Sequence, residues 1–171
     1  PGLYKENGFL KKEDAEGLIG IVSGEEAAVH SIERKKEVKN PPLLYNLAEL
    51  QNDCAKYFKI SPDQTLQVVQ ELYEKKLVTY PRTDARVLSS AVAKEIGKNI
   101  GGLKNYTVCG KLAEEVLSKG TYRKIGSTKY TNDKQITDHY AIIPTGQGLM
   151  ALKGLAPVSR KVYEVIVRRF L

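Results

Sequence analysis

Apolar residues recur at helical spacing along most of this 171-residue chain, and they predict six helices. Ala15, Leu18, Ile19 and Val22 share one face of a short helix over 13–23, with Gly24 just past its end. Leu47, Leu50, Cys54 and Tyr57 line a second helix over 46–58. Ser61-Pro62-Asp63-Gln64 opens a third over 61–76. Serine caps it, proline takes the first turn, and Gln64 stands three residues on as in a capping box. Leu66, Val69 and Tyr73 form its predicted buried stripe. Residues 89–100 and 106–119 give two more, separated by Gly101-Gly102 and closed by Gly120. Tyr163, Ile166, Val167 and Phe170 mark a last helix over 158–171.

Elsewhere the spacing changes. Residues 25–38 alternate weakly and end in charges, which reads as a strand, and Asn40-Pro41-Pro42 then breaks the chain. Leu77-Val78-Thr79 is a short apolar run leading into Tyr80, and 121–149 is irregular or β, rich in Gly, Thr, Lys and Asp. Two helices on a tight turn, followed by a strand, suggest a helix-turn-helix with a wing-like strand. The predicted fold class is therefore mainly α with a small β part (α+β), with a boundary near residue 40. There is no internal repeat.

An apolar fraction of 42% supports a packed core and argues against wholesale disorder. No run of 18 apolar residues and no charged-then-apolar amino terminus occurs, so neither a membrane span nor a signal peptide is expected. Cys54 and Cys109 are too few and too far apart for a disulfide framework or a zinc site, and read as small core residues in a reducing compartment. The net charge of +7 favours an anionic partner, nucleic acid being the commonest; a solvated lysine-rich surface is the plainer reading. The chain opens on Pro1-Gly2 and closes inside an amphipathic pattern, as expected for a piece of a larger protein.

Candidate chemistry centres on Tyr80-Pro81-Arg82-Thr83-Asp84. The residue before a proline is pushed toward extended geometry, and proline fixes its own φ. Side chains two apart on an extended backbone point the same way, so Tyr80 and Arg82 are expected on one side. A phenol beside a fixed cation suits covalent chemistry on a phosphate. Two other readings stand beside this one. Most of the ten tyrosines would simply bury a ring, and Pro-Arg-Thr-Asp is equally a turn that caps the next helix.

Further motifs surround this row. Pro41-Pro42 with Leu47 and Leu50-Gln51 comes first, then Thr65-Leu66 through Leu72-Tyr73-Glu74. Leu77 to Asp84 follows, and last comes Thr137-Asp138-His139 with Ala141-Ile142-Ile143-Pro144-Thr145, which holds one of only two histidines. Together and in this order they resemble the type IA DNA topoisomerases, over nearly the whole chain. The Tyr-Pro-Arg and Ile-Ile-Pro forms are most similar to the topoisomerase III branch. The resemblance implies that Tyr80 is the nucleophile taking the 5′ phosphate of a cleaved strand, that Arg82 contacts the scissile phosphate, and that His139 holds a phosphate nearby. It implies DNA contacts at Arg82, Thr83, Asp84, Arg86 and His139. It implies partners in single-stranded or negatively supercoiled DNA and in further domains of the same polypeptide, and a cytoplasmic, nucleoid-associated, bacterial-type location. Residues 1–40 would then belong to a neighbouring arch domain, and 41–171 to the tyrosine-bearing cleavage domain.

These roles make chemical sense. A phenol with pKa near 10 is about 0.1% ionised at neutral pH, so it needs help to attack. Arg82 can neutralise the phosphate but cannot act as the base, whereas a histidine can position a phosphate or move a proton. The phosphotyrosine ester keeps the bond energy, so religation needs no nucleotide. Two departures stand out: Ala85 replaces the usual serine, and Tyr140 adds a second tyrosine beside His139, expected as a contact. The family's acidic domain, where Mg2+ is expected, has no counterpart; Asp133 and Asp138 do not make its spacing. No metal ligands are assigned, and the chain by itself is expected not to cleave DNA.

The competing reading is a winged-helix DNA-binding module without catalysis. Its recognition helix would be 61–76, which offers Asp63, Gln64, Gln67 and Gln70 but no Arg or Lys before Lys75. A tyrosine recombinase would need arginines and histidines leading to a carboxy-terminal tyrosine, the reverse of this order.

Overall fold

The computed structural model describes residues 8, 9 and 11–171, which divide between Lys39 and Asn40 into two units. In the first, α1 (Lys12–Val22) carries Glu13 and Asp14 in its first turn, where acids favour the helix dipole. None of its residues is buried. Residues 25–38, expected as a strand, form no regular structure and are exposed throughout, and no β-bridge involves them. Weak alternation gave them no apolar face to bury, and an extended backbone without a ladder partner is not a strand.

The second unit holds α2 (Leu47–Phe58), α3 (Pro62–Glu74), α4 (Ser90–Gly102), α5 (Gly110–Lys119) and α6 (Pro157–Phe170). Helices α2, α3 and α6 pack together, and α4 packs on α5. The β part consists of isolated bridges, antiparallel for Tyr45–Ile142 and Val78–Pro144 and parallel for Leu88–Thr131. Mainly α with a small β part is thus the observed class. The core runs through Leu50 and Cys54 of α2, Val69 and Leu72 of α3, Ile96 and Ile100 of α4, and Tyr163, Ile166 and Val167 of α6.

Local signals set the helix starts. Ser61 Oγ accepts from the Gln64 N–H at 3.1 Å and Gln64 Oε1 accepts from the Ser61 N–H at 2.9 Å, completing the capping box of α3. Asn46 caps α2 through the Glu49 N–H at 2.9 Å. At α4, Ser89 accepts from the Val92 N–H, while Asp133 accepts from the Ser90 N–H at 2.8 Å and from its hydroxyl. That is what Asp133 does here, and the Ser90 donors hold its carboxyl below the usual range.

Three details depart from expectation. Helix α5 begins at Gly110 rather than 106, because Leu103–Asn105 forms a 3-10 turn and a Cβ on Gly110 would lie 2.4 Å from the Lys104 carbonyl oxygen. Leu103, Tyr106 and Cys109 are nevertheless all buried, since 3-10 turns keep an i, i+3 stripe. Tyr57, expected inside, is 56% exposed. Tyr73 is 39% exposed, and Thr65 and Leu72 complete the buried stripe of α3 instead.

One buried polar cluster ties the ends of this unit together. Arg169 donates to Asp53 Oδ2 at 2.9 Å, to Tyr45 Oη at 3.1 Å and to the Leu43 carbonyl at 3.1 Å, with its guanidinium 4.1 Å from the Tyr45 ring centroid. The Tyr45 hydroxyl donates to Asp53. Burial and the Asp53 carboxylate together hold the Tyr45 phenol well above its ordinary value.

Candidate active site

Helix α3 stops at Lys76, whose φ of +61° turns the chain out of the helix, and the Leu77 N–H then bonds the Leu72 carbonyl at 2.9 Å. From there buried Leu77 and Val78 anchor the chain. Burial alternates along the row. Pro81, Thr83, Ala85 and Val87 are buried, Arg82 and Asp84 are exposed, and Tyr80 and Arg86 are partly buried. This alternation of burial puts Tyr80, Arg82 and Asp84 on the outer side.

The partner of the row is the segment 139–145. Main-chain bonds join Thr79 N–H to the Ile143 carbonyl, Thr145 N–H to the Leu77 carbonyl and Ala141 N–H to the Val87 carbonyl, each at 3.0 Å. Two threonine hydroxyls add rungs. Thr79 Oγ1 donates to the Ala141 carbonyl and accepts from the Ile143 N–H, both at 3.0 Å. Thr83 Oγ1 donates to the His139 carbonyl at 2.9 Å and accepts from the Ala85 N–H at 3.1 Å. Beyond Thr145 the loop crosses α4 so closely that a Cβ on Gly102 would lie 2.1 Å from the Gly146 oxygen. Gly146 itself takes φ +76°, which glycine adopts freely.

This ladder brings His139 to Tyr80, although more than fifty residues separate them in sequence. Their ring centroids are 4.3 Å apart at 38°, with the imidazole exposed and the phenol partly buried. Tyr73 stands edge-on to Tyr80 on another side, at 5.5 Å and 84°. The phenol is therefore flanked by two rings while its setting stays open to solvent, the opposite of Tyr45.

The other expected residues lie as follows. Arg82 is exposed, and among the described residues it makes no hydrogen bond or ion pair. Asp84 is exposed, and its carbonyl accepts from Asn46 Nδ2 at 3.1 Å. Thr83 is 6% exposed, with its hydroxyl engaged as described. Arg86 turns toward α2, donating from Nε to the Leu44 carbonyl at 3.2 Å and lying 3.4 Å from Glu49. Tyr140 packs against the core, and burial raises its phenol pKa. Ala85 bonds through its main-chain N–H, which alanine supplies as well as serine. Among the described residues no three His, Cys, Asp or Glu side chains are grouped to hold a metal ion. A metal would need acids from outside this set. Tyr73 and Thr79 were not singled out from the sequence: Tyr73 read as core, and Thr79 as the end of an apolar run.

Charge is unevenly divided. Residues 1–39 hold seven Lys or Arg against eight Asp or Glu, so the positive excess lies in 40–171, the unit bearing Tyr80. Among the described residues no helix is long and apolar enough to cross a membrane.

A family model described as DNA topoisomerase matches residues 3–171. The chain belongs to the DNA topoisomerase family. It is 40% identical over 156 residues to the protein named DNA topoisomerase 3 of Bacillus subtilis (strain 168), covering 90% of this chain and 21% of that protein. It is 36% identical over 171 residues to the DNA topoisomerase 3 of Bacillus cereus (strain ATCC 10987), covering 96% and 22%. The similarity to topoisomerase III proteins thus spans nearly all of this topoisomerase chain, and the chain spans about a fifth of the length of those relatives.

Proposed function

We propose that this chain is the tyrosine-bearing part of a type IA DNA topoisomerase that cuts one DNA strand, holds it through a 5′-phosphotyrosine on Tyr80, passes another strand and reseals. The observation that carries the reading is the convergence of Tyr80 and His139, with ring centroids at 4.3 Å, where hydrogen bonds join the segment around Tyr80 to 139–145. The phenol oxygen attacks phosphorus, the bond from phosphorus to the 3′ oxygen breaks, and the 3′ oxygen leaves as a hydroxyl after gaining a proton. Resealing is the reverse, with the 3′ hydroxyl attacking the tyrosyl ester. Arg82, unpaired and on the same side of the row, supplies positive charge to the phosphate oxygens. His139 holds a phosphate or moves the proton. Asp84 lines the same side, and Arg86 stands one step further along.

The substrate is single-stranded or negatively supercoiled DNA, consistent with the positive excess of residues 40–171. Further domains of the polypeptide, with Mg2+ held by their acids, complete the site, so this chain alone binds strands without cutting them. Residues 1–40 belong to a neighbouring arch domain, and the whole protein works at the nucleoid of a bacterial-type cell. The test grafts this chain in place of the matching fifth of the Bacillus subtilis relative and measures relaxation of negatively supercoiled DNA. Activity lost in Tyr80→Phe with strand binding kept is the expected result. Relaxation retained by Tyr80→Phe, or nicking by this chain alone, contradicts the proposal.

A further inference from the structure

The imidazole of His139 is held against Tyr80 by a series of contacts, and the last of them is a side chain. Main-chain rungs tie Thr145, Ile143 and Ala141 to the row, but toward His139 they stop. Residues 137–139 are exposed, and among the described residues the one hydrogen bond to the His139 main chain comes from Thr83 Oγ1, 2.9 Å from its carbonyl oxygen.

The hydroxyl is oriented for this. A threonine hydroxyl has one proton to donate and lone pairs with which to accept. Thr83 accepts from the Ala85 N–H at 3.1 Å, a closure two residues on that short hydroxyl side chains favour. That leaves its proton for the His139 carbonyl. The side chain is 6% exposed, so water competes poorly for the bond and a DNA strand does not reach it. Thr79 makes a comparable side-chain rung to Ala141, but a main-chain bond from Thr79 to Ile143 runs beside it. Losing the Thr79 hydroxyl leaves that register held. Losing the Thr83 hydroxyl leaves the His139 main chain without a hydrogen bond among the described residues.

We propose that Thr83 is a positioning residue, whose hydroxyl, locked by the Ala85 N–H, sets the His139 imidazole against the Tyr80 ring. The proposal rests on reading Tyr80 and His139 as the phosphate site, and it gives the Thr83 hydroxyl to the protein rather than to DNA.

The test uses proton NMR on the 171-residue chain. The ring current of Tyr80 displaces the His139 ring resonances, and exposed His30, the only other histidine, serves as reference. Tyr80→Leu defines the resonance positions without that ring. Thr83→Val keeps the shape without the hydroxyl, and is expected to move the His139 resonances to the Tyr80→Leu positions. Thr83→Ser keeps the hydroxyl and is expected to retain the native displacement. Displacement kept in Thr83→Val, or lost in Thr83→Ser, overturns the proposal. Should Thr83→Val fail to fold, Thr83→Cys replaces it: a thiol is a weaker donor, so the displacement should shrink relative to Thr83→Ser, and equal displacement overturns the proposal.

Binding of single-stranded oligothymidylate to the same chain separates this idea from the one beneath it. An equal loss in Thr83→Val and His139→Ala supports positioning through His139. A loss in His139→Ala alone overturns the positioning role. Unchanged binding in His139→Ala counts against the phosphate-site reading, and leaves the NMR result to decide Thr83.

Discussion

Two tyrosines in this chain sit beside similar residues and are put to opposite uses. Tyr45 is buried against Asp53 and Arg169, its hydroxyl donating to the carboxylate and its ring covered by the guanidinium. Tyr80 has an arginine and an aspartate two and four residues on, yet neither is paired with its ring, and its neighbours are the rings of His139 and Tyr73. In the first cluster every charge is satisfied by another and the phenol is held protonated. In the second, Arg82 stands exposed and, among the described residues, unpaired. Residue type alone does not separate a structural tyrosine from a candidate nucleophile; what distinguishes these two is whether the surrounding charges are already spent.

Crossed substitutions should break the likeness cleanly. Asp53→Ala removes the carboxylate partner of the partly buried Arg169 and is expected to cost about 1–3 kcal/mol in a denaturant melt, while Tyr80→Phe is expected to stay within about 0.5 kcal/mol of the parent. A large stability loss in Tyr80→Phe would mean that its hydroxyl, too, is spent on the fold.

Alkaline titration sharpens the contrast. Burial raises the pKa of Tyr45, of Tyr163 and of Tyr106, the last to about 12. A phenol whose folded pKa exceeds the unfolded value of about 10 favours the folded state fully below that pH. That contribution is lost as pH rises from about 10 through the folded values. Melting temperature should therefore fall steeply above pH 10, after a shallower decline from about pH 8.5 contributed by the Cys54 and Cys109 thiols, whose pKa values burial also raises. In Tyr45→Phe the fall should be shallower.

Smaller effects are expected at the caps and at one orphan hydroxyl. Ser61→Ala removes half of the α3 capping box and should cost about 1 kcal/mol. Tyr163 is fully buried, and its hydroxyl has no partner among the described residues. Tyr163→Phe deletes that unsatisfied group and should leave stability level or raise it by up to about 1 kcal/mol; a clear loss would reveal a partner for the hydroxyl.

Much of this was legible in the sequence because it was local. The Ser61-Pro62-Gln64 start of α3, Leu50 and Cys54 of α2, and Tyr163, Ile166 and Val167 of α6 all depend on residues close in the chain. Tyr73 was misread because helical spacing marks a face without saying whether that face ends in core or at a site. The stretch 25–38 was misread because weak alternation was taken for a strand with no partner in view. The approach of His139 to Tyr80 came only through family resemblance. The ladder that produces it pairs 77–87 with 139–145, a non-local match that no periodicity records. The threonine rungs were hidden for the same reason: a threonine beside a motif does not announce which distant carbonyl it bonds.

The most direct test of Tyr80 as the nucleophile is a covalent trap. This chain, grafted into the Bacillus subtilis relative, would be mixed with single-stranded DNA radiolabelled at internal phosphates and stopped with denaturant. The protein would then be digested, first with nuclease and then with protease, and the labelled peptide sequenced. The expected result is 5′-phosphoryl label on the peptide containing Tyr80, absent in Tyr80→Phe. Label on any other peptide, or label that survives in Tyr80→Phe, would contradict it.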